Sequence, residues 1–249
     1  MTQTRAQWLA DAPFSLALSA GFFGFFAHTG LLQVLEARGL APRRVVGVSA
    51  GSLAGGLWAS GVSAAALDDE LSALRRADFW DPGLPLGGVL RGRKFADKLQ
   101  TLLAGPGVSH FEECATPFAA VVHDVFARRP VVMERGPLVV AIVASCTVPI
   151  MFRPVLHEGR VLVDGGVSDR SGLSALPPGE RVLLHYLPSR RRTRFGRAPS
   201  PPTRLHDRPS MVLVTPELPK VTPFRLEHGP VALRRTREHA QRWLDEPMR

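Results

Sequence analysis

The residues best suited to chemistry are a serine and two flanking glycines, in the sequence Gly-Val-Ser-Ala-Gly at residues 47–51. An apolar stretch precedes the serine, and a helical run of small residues follows it. A strand that turns sharply into a helix at a serine needs Gly47 and Gly51, because larger side chains would collide with the turn and cover the hydroxyl. The helix N-terminus also favours negative charge that develops nearby. The pattern predicts that Ser49 is a nucleophile in an elbow formed with Gly47 and Gly51.

A serine nucleophile needs a base to accept its proton. The usual partner is a histidine, and four histidines lie far enough along the chain: His185, His206, His228 and His239. Enzymes with the chain order Ser-Asp-His place several strands before the nucleophile, whereas only one strand-helix unit fits before Ser49. Asp164 offers another base, since the Asp-Gly-Gly sequence at 164–166 ends a strand at a turn that lets the carboxylate approach neighbouring backbone. The pattern favours Asp164 and leaves a histidine as the alternative.

Three elements follow one another in the chain: a glycine-containing loop near residue 21, the serine elbow and Asp-Gly-Gly. Together they resemble the patatin-like phospholipase family over about Leu16 to Leu176, and residues 141–155, which lead into 163–167, look like that family's approach to its catalytic aspartate. The resemblance implies an α/β fold, a three-layer α/β/α sandwich with a mostly parallel central sheet. It also implies a Ser49–Asp164 catalytic dyad without histidine, an acyl-enzyme intermediate, and no metal or organic cofactor.

The same resemblance assigns the amides of the oxyanion hole to the loop around Gly21 and Gly24. The family's first motif is a longer glycine run with an Arg or Lys before its last glycine. This chain has Phe22 and Phe23 inside the run and no basic residue there. Gly21 and Gly24 are therefore the predicted oxyanion-hole residues, and a simple tight turn is the alternative explanation for both glycines.

Hydrophobic periodicity and turn residues predict a single domain over residues 1–249, with a catalytic core at about 14–187. The predicted strands are Phe14–Ser19, Arg44–Val48, Pro117–Val125, Pro130–Met133, Arg153–His157, Arg160–Val163, Arg181–Tyr186 and Met211–Val214. The predicted helices are Thr29–Arg38, Ala50–Ser60, Ser63–Ala77, Gly92–Leu103, Pro137–Ser145 and a C-terminal helix at about 231–244. Residues 189–210, which are rich in Arg and Pro, are predicted to form a mobile basic loop. The first two strands should pair in parallel through a right-handed helical crossover.

Two apolar segments have more than one interpretation. Residues Phe14–Leu35 carry no formal charge apart from a protonated His28, as a membrane span or a signal peptide would, but glycines and polar residues interrupt them. We therefore expect a strand, a loop and an amphipathic helix there. Residues Phe79–Leu90 form an apolar stretch with Pro and Gly. This stretch is either a connection that covers the core or a lip over an apolar acyl site.

The composition limits the classes of partner. The formal net charge is +9 and the pI is near 11.0, and all but three of the 31 basic residues are arginine, which binds phosphate bidentately. Basic and aromatic residues do not alternate as they do in single-strand-binding grooves, so nucleic acid is not an expected partner. The two cysteines, Cys114 and Cys146, support neither a disulfide framework nor a metal site. We expect a cytoplasmic protein that associates peripherally with membranes.

These observations predict a serine lipid acyl hydrolase or carboxylesterase that cleaves acyl esters through Ser49 and Asp164. The expected partners are a lipid or ester substrate and, transiently, an anionic membrane surface. A Ser-His-Asp hydrolase or acyltransferase is one alternative. A catalytically silent lipid-binding module on the same scaffold is another. The sequence does not specify the acyl chain, the headgroup or the oligomeric state.

Overall fold

The computed structural model describes residues 3–84, 87–188, 205 and 207–248. The α-helices in these residues are α1 (Arg5–Asp11), α2 (Phe25–Ala37), α3 (Ala50–Ala59), α4 (Ala64–Ser72), α5 (Arg93–Ala104), α6 (Leu138–Ser145) and α7 (Gly229–Asp245). The strands are β1 (Ser15–Leu18), β2 (Arg44–Val48), β3 (Gly88–Leu90), β4 (Phe118–Asp124), β5 (Arg129–Met133), β6 (Ile150–Phe152), β7 (Val155–His157), β8 (Arg160–Asp164), β9 (Val182–His185) and β10 (Ser210–Leu213).

Eight strands form the central sheet, in the order β10-β9-β1-β2-β4-β8-β7, with β5 paired to β4 outside this path. Strands β10, β9, β1, β2 and β4 run parallel, whereas β5 and β8 are antiparallel to β4, and β7 to β8. In this register Val48 pairs with Val121 and Asp164 pairs with Val122. The C-terminal ends of β2 and β8 therefore lie on either side of β4.

The two faces of the sheet bury different layers. All seven α-helices contribute to one large apolar core on the first face, and buried residues of β1 and β4 fill its centre. A smaller core on the opposite face lies under short 3-10 turns, Gly165–Val167 and Leu173–Ala175, and includes the buried Leu173 and Leu176. The second outer layer is thus thin. The α/β class and the mostly parallel central sheet are as predicted.

Most predicted elements are observed within a few residues of their expected bounds, and β2 spans the predicted residues. The strands predicted at Arg153–His157 and Arg160–Val163 are observed as β7 and β8, which form an antiparallel hairpin around Glu158 and Gly159. Helix α2 begins at Phe25, four residues before the predicted start, because Phe25 and Phe26 are buried in the core. The helix predicted at Ser63–Ala77 is shorter, since α4 ends at Ser72 and a 3-10 turn follows at Arg76–Asp78.

Three elements were not predicted. Helix α1 precedes the first strand, and β3 and β6 form a separate two-stranded parallel sheet. Strand β3 lies at the end of the apolar stretch Phe79–Leu90, so this stretch is partly ordered by pairing with β6. Each of these two strands has only three residues, which is too short to produce a recognisable alternation of apolar and polar side chains.

The apolar segment Phe14–Leu35 divides into β1, a turn and α2, as expected, but α2 is buried along most of its length and is not the amphipathic helix that was predicted. Among the residues that the structure describes, none of the helices combines the length and the hydrophobicity needed to cross a bilayer. Most of the basic loop predicted at 189–210 lies outside the described residues. Strand β10 and helix α7, which follow it, are integral to the sheet and to the helical layer.

Candidate active site

The backbone at Ser49 has the strained geometry of a nucleophile elbow. Its φ is 54° and its ψ is −119°, in a region that residues with a side chain rarely adopt. The two glycines allow neighbouring backbone to approach. A Cβ on Gly47 would lie 2.4 Å from the Cα of Ser52, and one on Gly51 would lie 2.0 Å from the carbonyl oxygen of Leu18. The predicted roles of Gly47 and Gly51 therefore have a steric basis in the structure.

The structure brings the two predicted catalytic side chains into direct contact. The Ser49 hydroxyl Oγ donates a hydrogen bond to Oδ2 of Asp164 at 2.6 Å. The other carboxylate oxygen, Oδ1, accepts the N–H of Gly166 at 2.7 Å. Both side chains are buried. The Gly-Gly turn thus orients the carboxylate so that one oxygen is held by backbone and the other faces the serine.

A third residue, Ser145 at the end of α6, holds the backbone of the predicted nucleophile and was not itself predicted to have a role. Its Oγ accepts the N–H of Ser49 at 2.8 Å and donates to the carbonyl of Val121 at 2.7 Å. The Cys146 thiol also donates to the Ser49 carbonyl at 3.1 Å. These bonds fix the strained backbone on both sides of the nucleophile. The sequence contained only a weak signal, a pair of small polar residues at the end of an apolar helix.

The environment of Asp164 makes it a stronger base than an exposed carboxylate. Burial raises the pKa of the Asp164 carboxyl above its ordinary value, because a desolvated negative charge is unfavourable. The hydrogen bonds from Ser49 and Gly166 and the positive charge of Arg170 offset part of this rise in pKa. The net upward shift reduces the difference in basicity between the carboxylate and a serine alkoxide.

The loop predicted to form the oxyanion hole lies beside the dyad, but its two glycines differ. Gly21 lines the same cavity as Ser49. The Gly24 N–H is already engaged, since it donates to the Gly21 carbonyl at 2.8 Å, so this amide is not available to bind an oxyanion. The amides of Gly21 and Phe22 donate to no acceptor among the described residues. Both glycines also pack closely against the side chain of Leu187. A Cβ on Gly21 or Gly24 would lie 2.7 or 2.3 Å from its Cδ1 atom, so neither position has room for a side chain.

Arg170 is hydrogen bonded to this loop through both its side chain and its backbone. One of its guanidinium nitrogens, Nη2, donates to the carbonyls of Ala20 at 3.1 Å and Leu187 at 3.4 Å. The Ala20 N–H in turn donates to the Arg170 carbonyl at 2.8 Å. Sequence analysis assigned no role to this residue. A single Arg six residues after the aspartate is not a recognisable signal without the fold.

An apolar cavity of about 990 Å³, including its open mouth, begins at Ser49 and extends between the helices. Its walls are almost entirely aliphatic and aromatic, with side chains from α3, α4 and α5: Leu53, Leu57, Leu67, Leu71, Phe95 and Leu99. Phe79, from the apolar stretch of undecided role, also lines it. Glu70 and Lys98 form an ion pair of 2.6 Å in the lining. Such a cavity fits an alkyl chain whose carbonyl carbon lies at Ser49.

The alternative histidine bases lie elsewhere, as far as the structure describes them. His185 is fully buried and its Nδ1 lies 2.9 Å from Nδ1 of His28, while Nε2 of His28 lies 2.9 Å from the Ser19 carbonyl. Because the carbonyl oxygen of Ser19 can only accept, His28 carries its proton on Nε2, and Nδ1 of His185 donates to Nδ1 of His28. His228 contacts the carbonyl of Lys220, and His239 lies in α7 and is hydrogen bonded to the backbone of Val214. His206 lies outside the described residues.

With this geometry in place, comparison with known proteins identifies the family. A model of the patatin-like phospholipase family matches residues 16–176, well over half of the chain. This chain belongs to the patatin-like phospholipase family. An uncharacterized NTE family protein of Mycobacterium bovis is 33% identical over 161 residues, which are 62% of this chain and 43% of that protein. The lysophospholipase NTE1 of Mycosarcoma maydis is 29% identical over 170 residues, 66% of this chain and 9% of that protein.

The chain thus spans less than half the length of the curated relatives it matches. Solved structures show the same fold. VipD from Legionella pneumophila has a TM-score of 0.65 at 12% identity, over 94% of this chain and 67% of that one. The type III effector protein ExoU has a TM-score of 0.55 at 15% identity, over 95% of this chain and 54% of that one. The predicted family and the predicted patatin-like fold are confirmed.

The buried carboxylate should lower stability at neutral pH. Since the folded-state pKa of Asp164 is raised, the folded protein binds this proton more tightly than the unfolded chain, and the free energy of unfolding falls as pH rises through that interval. Asp164→Asn removes the charge and should give an equal or higher melting temperature at pH 7. The matched control is Asp124→Asn. Asp124 is also buried, and its Oδ1 accepts the N–H groups of Phe126 and Ala127; the amide oxygen of Asn can accept the same two bonds, so this change should leave the melting temperature close to that of the wild type. A marked loss of stability in Asp164→Asn would contradict this expectation.

The buried histidine pair should make the fold sensitive to acid. Burial lowers the pKa of His28 from 6.5 to about 4, partly offset by its bond to Ser19, and burial also lowers the pKa of His185. The unfolded chain therefore binds more protons below pH 6.5, and stability falls as pH drops from 6.5 towards 4, by up to about 1.4 kcal/mol per pH unit for each histidine. Urea unfolding from pH 7.5 to 5 should show a smaller slope for His28→Gln than for the wild type. His110→Gln, at an exposed position, is the control for the same substitution outside the core.

Proposed function

We propose that this protein is a serine lipid acyl hydrolase that cleaves acyl esters of phospholipids or related lipids through a Ser49–Asp164 dyad. The observation that carries the proposal is the 2.6 Å hydrogen bond from Ser49 to Asp164 at one end of an apolar cavity. Membership of the patatin-like phospholipase family supports the reaction class.

The reaction follows from the contacts of the dyad. Asp164 accepts the proton of Ser49 as Oγ attacks the ester carbonyl carbon, and the carbonyl oxygen becomes an oxyanion. The tetrahedral intermediate collapses, and the leaving alcohol takes the proton from Asp164. A water molecule then gives a proton to Asp164 and attacks the acyl-serine. Release of the carboxylic acid restores the Ser49 hydroxyl and returns the dyad to its starting state.

We assign the oxyanion hole to the backbone N–H groups of Gly21 and Phe22. Gly24, which the sequence also suggested, is no longer included. The amides of Gly21 and Phe22 lie in a loop that lines the cavity with Ser49, whereas the Gly24 amide is engaged within the turn. The N-terminus of α3 adds its dipole next to the nucleophile. One oxyanion donor typically contributes about 2.7–4 kcal/mol of transition-state stabilisation. Two such donors offset much of the weakness of a carboxylate base.

The cavity supports an acyl-chain site, and the net charge of +9 supports transient contact with an anionic membrane. Residues Ala50 and Leu57 of α3 both line the cavity, so its wall follows that helix for about 10 Å. The proposed substrate places one acyl chain along this wall. A panel of nitrophenyl esters, lysophospholipids and two-chain phospholipids would identify the preferred chain length and headgroup.

Mutation of the dyad tests the proposal directly. Ser49→Ala and Asp164→Asn should each lower kcat/KM for a short nitrophenyl ester by roughly a thousandfold or more, and the double variant should be little worse, because the two side chains act as a unit. Ser49→Ala should also abolish labelling by a fluorophosphonate. His228→Ala and His239→Ala, away from the dyad, should keep most activity.

The alternatives give different results in the same experiment. An inactive histidine variant beside an active Asp164→Asn would establish a Ser-His-Asp enzyme. A folded wild-type protein that neither hydrolyses any ester of the panel nor reacts with the fluorophosphonate would establish a silent lipid-binding module.

The pH profile should depend on Arg170. The acidic limb of kcat/KM reports protonation of Asp164, and the Arg170 charge lowers the pKa of this carboxyl. Arg170→Met removes that charge, so the pKa of Asp164 should rise further and the limb should move to higher pH. Arg170→Lys keeps the charge and should leave the limb close to its wild-type position, although it loses the bonds to the loop. If the acidic limb of kcat/KM stays at the same pH in Arg170→Met, Arg170 does not influence the pKa of the catalytic base.

A further inference from the structure

Four large apolar side chains, on segments that line the cavity or contact its lining segments, are exposed to solvent. They are Phe22 at 55%, Leu84 at 71%, Val89 at 46% and Ile150 at 82%, and we call this set the apolar rim. Phe22 itself lines the cavity, and Ile150 directly precedes Met151 and Phe152, which also line it. Val89 lies in β3, the partner of β6. The carbonyl of Leu84 accepts a hydrogen bond from Arg153, next to β6. The rim is therefore continuous with the cavity lining.

Ile150 is unusual in its backbone as well as its exposure. Its φ is 72°, in the left-handed region that a β-branched side chain strongly disfavours. Strained residues persist where the surrounding structure holds them and are concentrated at functional sites. At Ile150 the strained backbone directs an apolar side chain into water, and packing within the described residues does not compensate for it. A ligand that covers this side chain would supply the missing stabilisation.

The surroundings of the rim are basic. Residues 75–94, which include Leu84 and Val89, contain five cations and two acids: Arg75, Arg76, Arg91, Arg93, Lys94, Asp78 and Asp81. Both acids are engaged locally: Asp81 accepts the N–H groups of Gly92 and Arg93, and Asp78 accepts the N–H of Arg75. Arg91 and Arg93 are exposed. An apolar surface bordered by cations complements the interface of an anionic bilayer, where apolar tips enter the acyl region and basic side chains contact phosphate.

We infer that the apolar rim, with Ile150 at its tip, inserts into the surface of an anionic lipid bilayer and places the cavity mouth against the acyl chains. The inference rests on the proposed function, which requires a lipid ester to reach Ser49. It adds the route: an acyl chain passes from the bilayer between Phe22 and β6 into the cavity without crossing water. Burial of the rim in lipid also removes the cost of exposing four large apolar side chains.

Vesicle binding by the full chain carrying Ser49→Ala tests the inference without catalysis. Vesicles of phosphatidylcholine with phosphatidylglycerol should sediment with the protein, and vesicles of phosphatidylcholine alone should bind less. Adding Ile150→Ala or Ile150→Gly should each weaken the partition constant by roughly tenfold, because each removes apolar surface that enters the bilayer. Ile150→Leu, which keeps that surface, should retain binding.

The pair of alanine and glycine variants separates membrane contact from a change in conformation. Glycine tolerates a positive φ and alanine does not, so Ile150→Gly should melt about 2–4 °C above Ile150→Ala while both lose binding equally. Leu156→Ala is the matched control, because Leu156 is also apolar and 75% exposed. Its neighbour in β7, Val155, packs against the core on the cavity side of the sheet. Since successive side chains of a strand alternate, Leu156 faces the opposite side. This variant should bind as the parent does.

Activity on a soluble ester distinguishes failure of this inference from failure of the proposed function. With Ser49 intact, the Ile150→Ala variant should hydrolyse a short nitrophenyl ester at the wild-type rate. Its rate of lipid hydrolysis on anionic vesicles should fall to a small fraction of the wild-type rate. Unchanged vesicle binding in both Ile150→Ala and Ile150→Gly would overturn the inference even if the enzyme is active. So would a rim variant that changes the oligomeric state by sedimentation and leaves vesicle binding intact, since the rim would then be a contact between copies.

Discussion

The hydrogen bond between Ser49 and Asp164 is the contact on which the rest of the site depends. It joins two residues separated by 115 positions in the chain. It forms because β4 lies between β2 and β8, with Val48 paired to Val121 and Asp164 paired to Val122. A shift of one residue in the pairing of β8 would turn Asp164 to the opposite face of the sheet. The order and register of the central strands therefore decide whether the two side chains can react.

Both members of the pair are held in states that are unfavourable in isolation. A left-handed serine costs roughly 1–3 kcal/mol, and a buried carboxylate adds a desolvation cost. Ser145, Cys146 and Gly166 each supply a hydrogen bond to the dyad or its backbone, worth about 1 kcal/mol apiece. Helix α6 thus has two roles: its apolar residues pack in the core, and the residues at its C-terminal end hydrogen bond to the backbone of Ser49. In the proposed mechanism the same strain keeps the hydroxyl exposed towards the cavity and the carboxylate basic.

The parts of the structure that could be predicted from the sequence are those fixed by local chemistry. The glycines at 47 and 51 mark the elbow, and the run Arg44–Val48 is apolar enough to be a buried parallel strand, which is where β2 lies. Apart from the Ser49–Asp164 pair, which the family resemblance implied, contacts between distant segments could not be predicted. Ser145 reaches Ser49 across 96 residues, and Arg170 reaches Ala20 across 150. Tertiary burial of Phe25 and Phe26, rather than helix propensity, sets the start of α2.

The departure of the oxyanion loop from the family pattern has a counterpart in the fold. Phe23, inside the expected glycine run, packs its ring 5.7 Å from that of Phe79 and extends the aromatic wall of the cavity. The run itself has no basic residue, and Arg170, from a segment just beyond Asp164, binds the loop carbonyl of Ala20. In this position one guanidinium contacts the loop and also acts on the pKa of the carboxylate. A cation placed within the loop would have no comparable link to Asp164 through the chain. The loop of altered sequence therefore contributes an apolar side chain, Phe23, to the cavity wall. The positive charge comes instead from Arg170, on a separate segment that the fold places beside the loop.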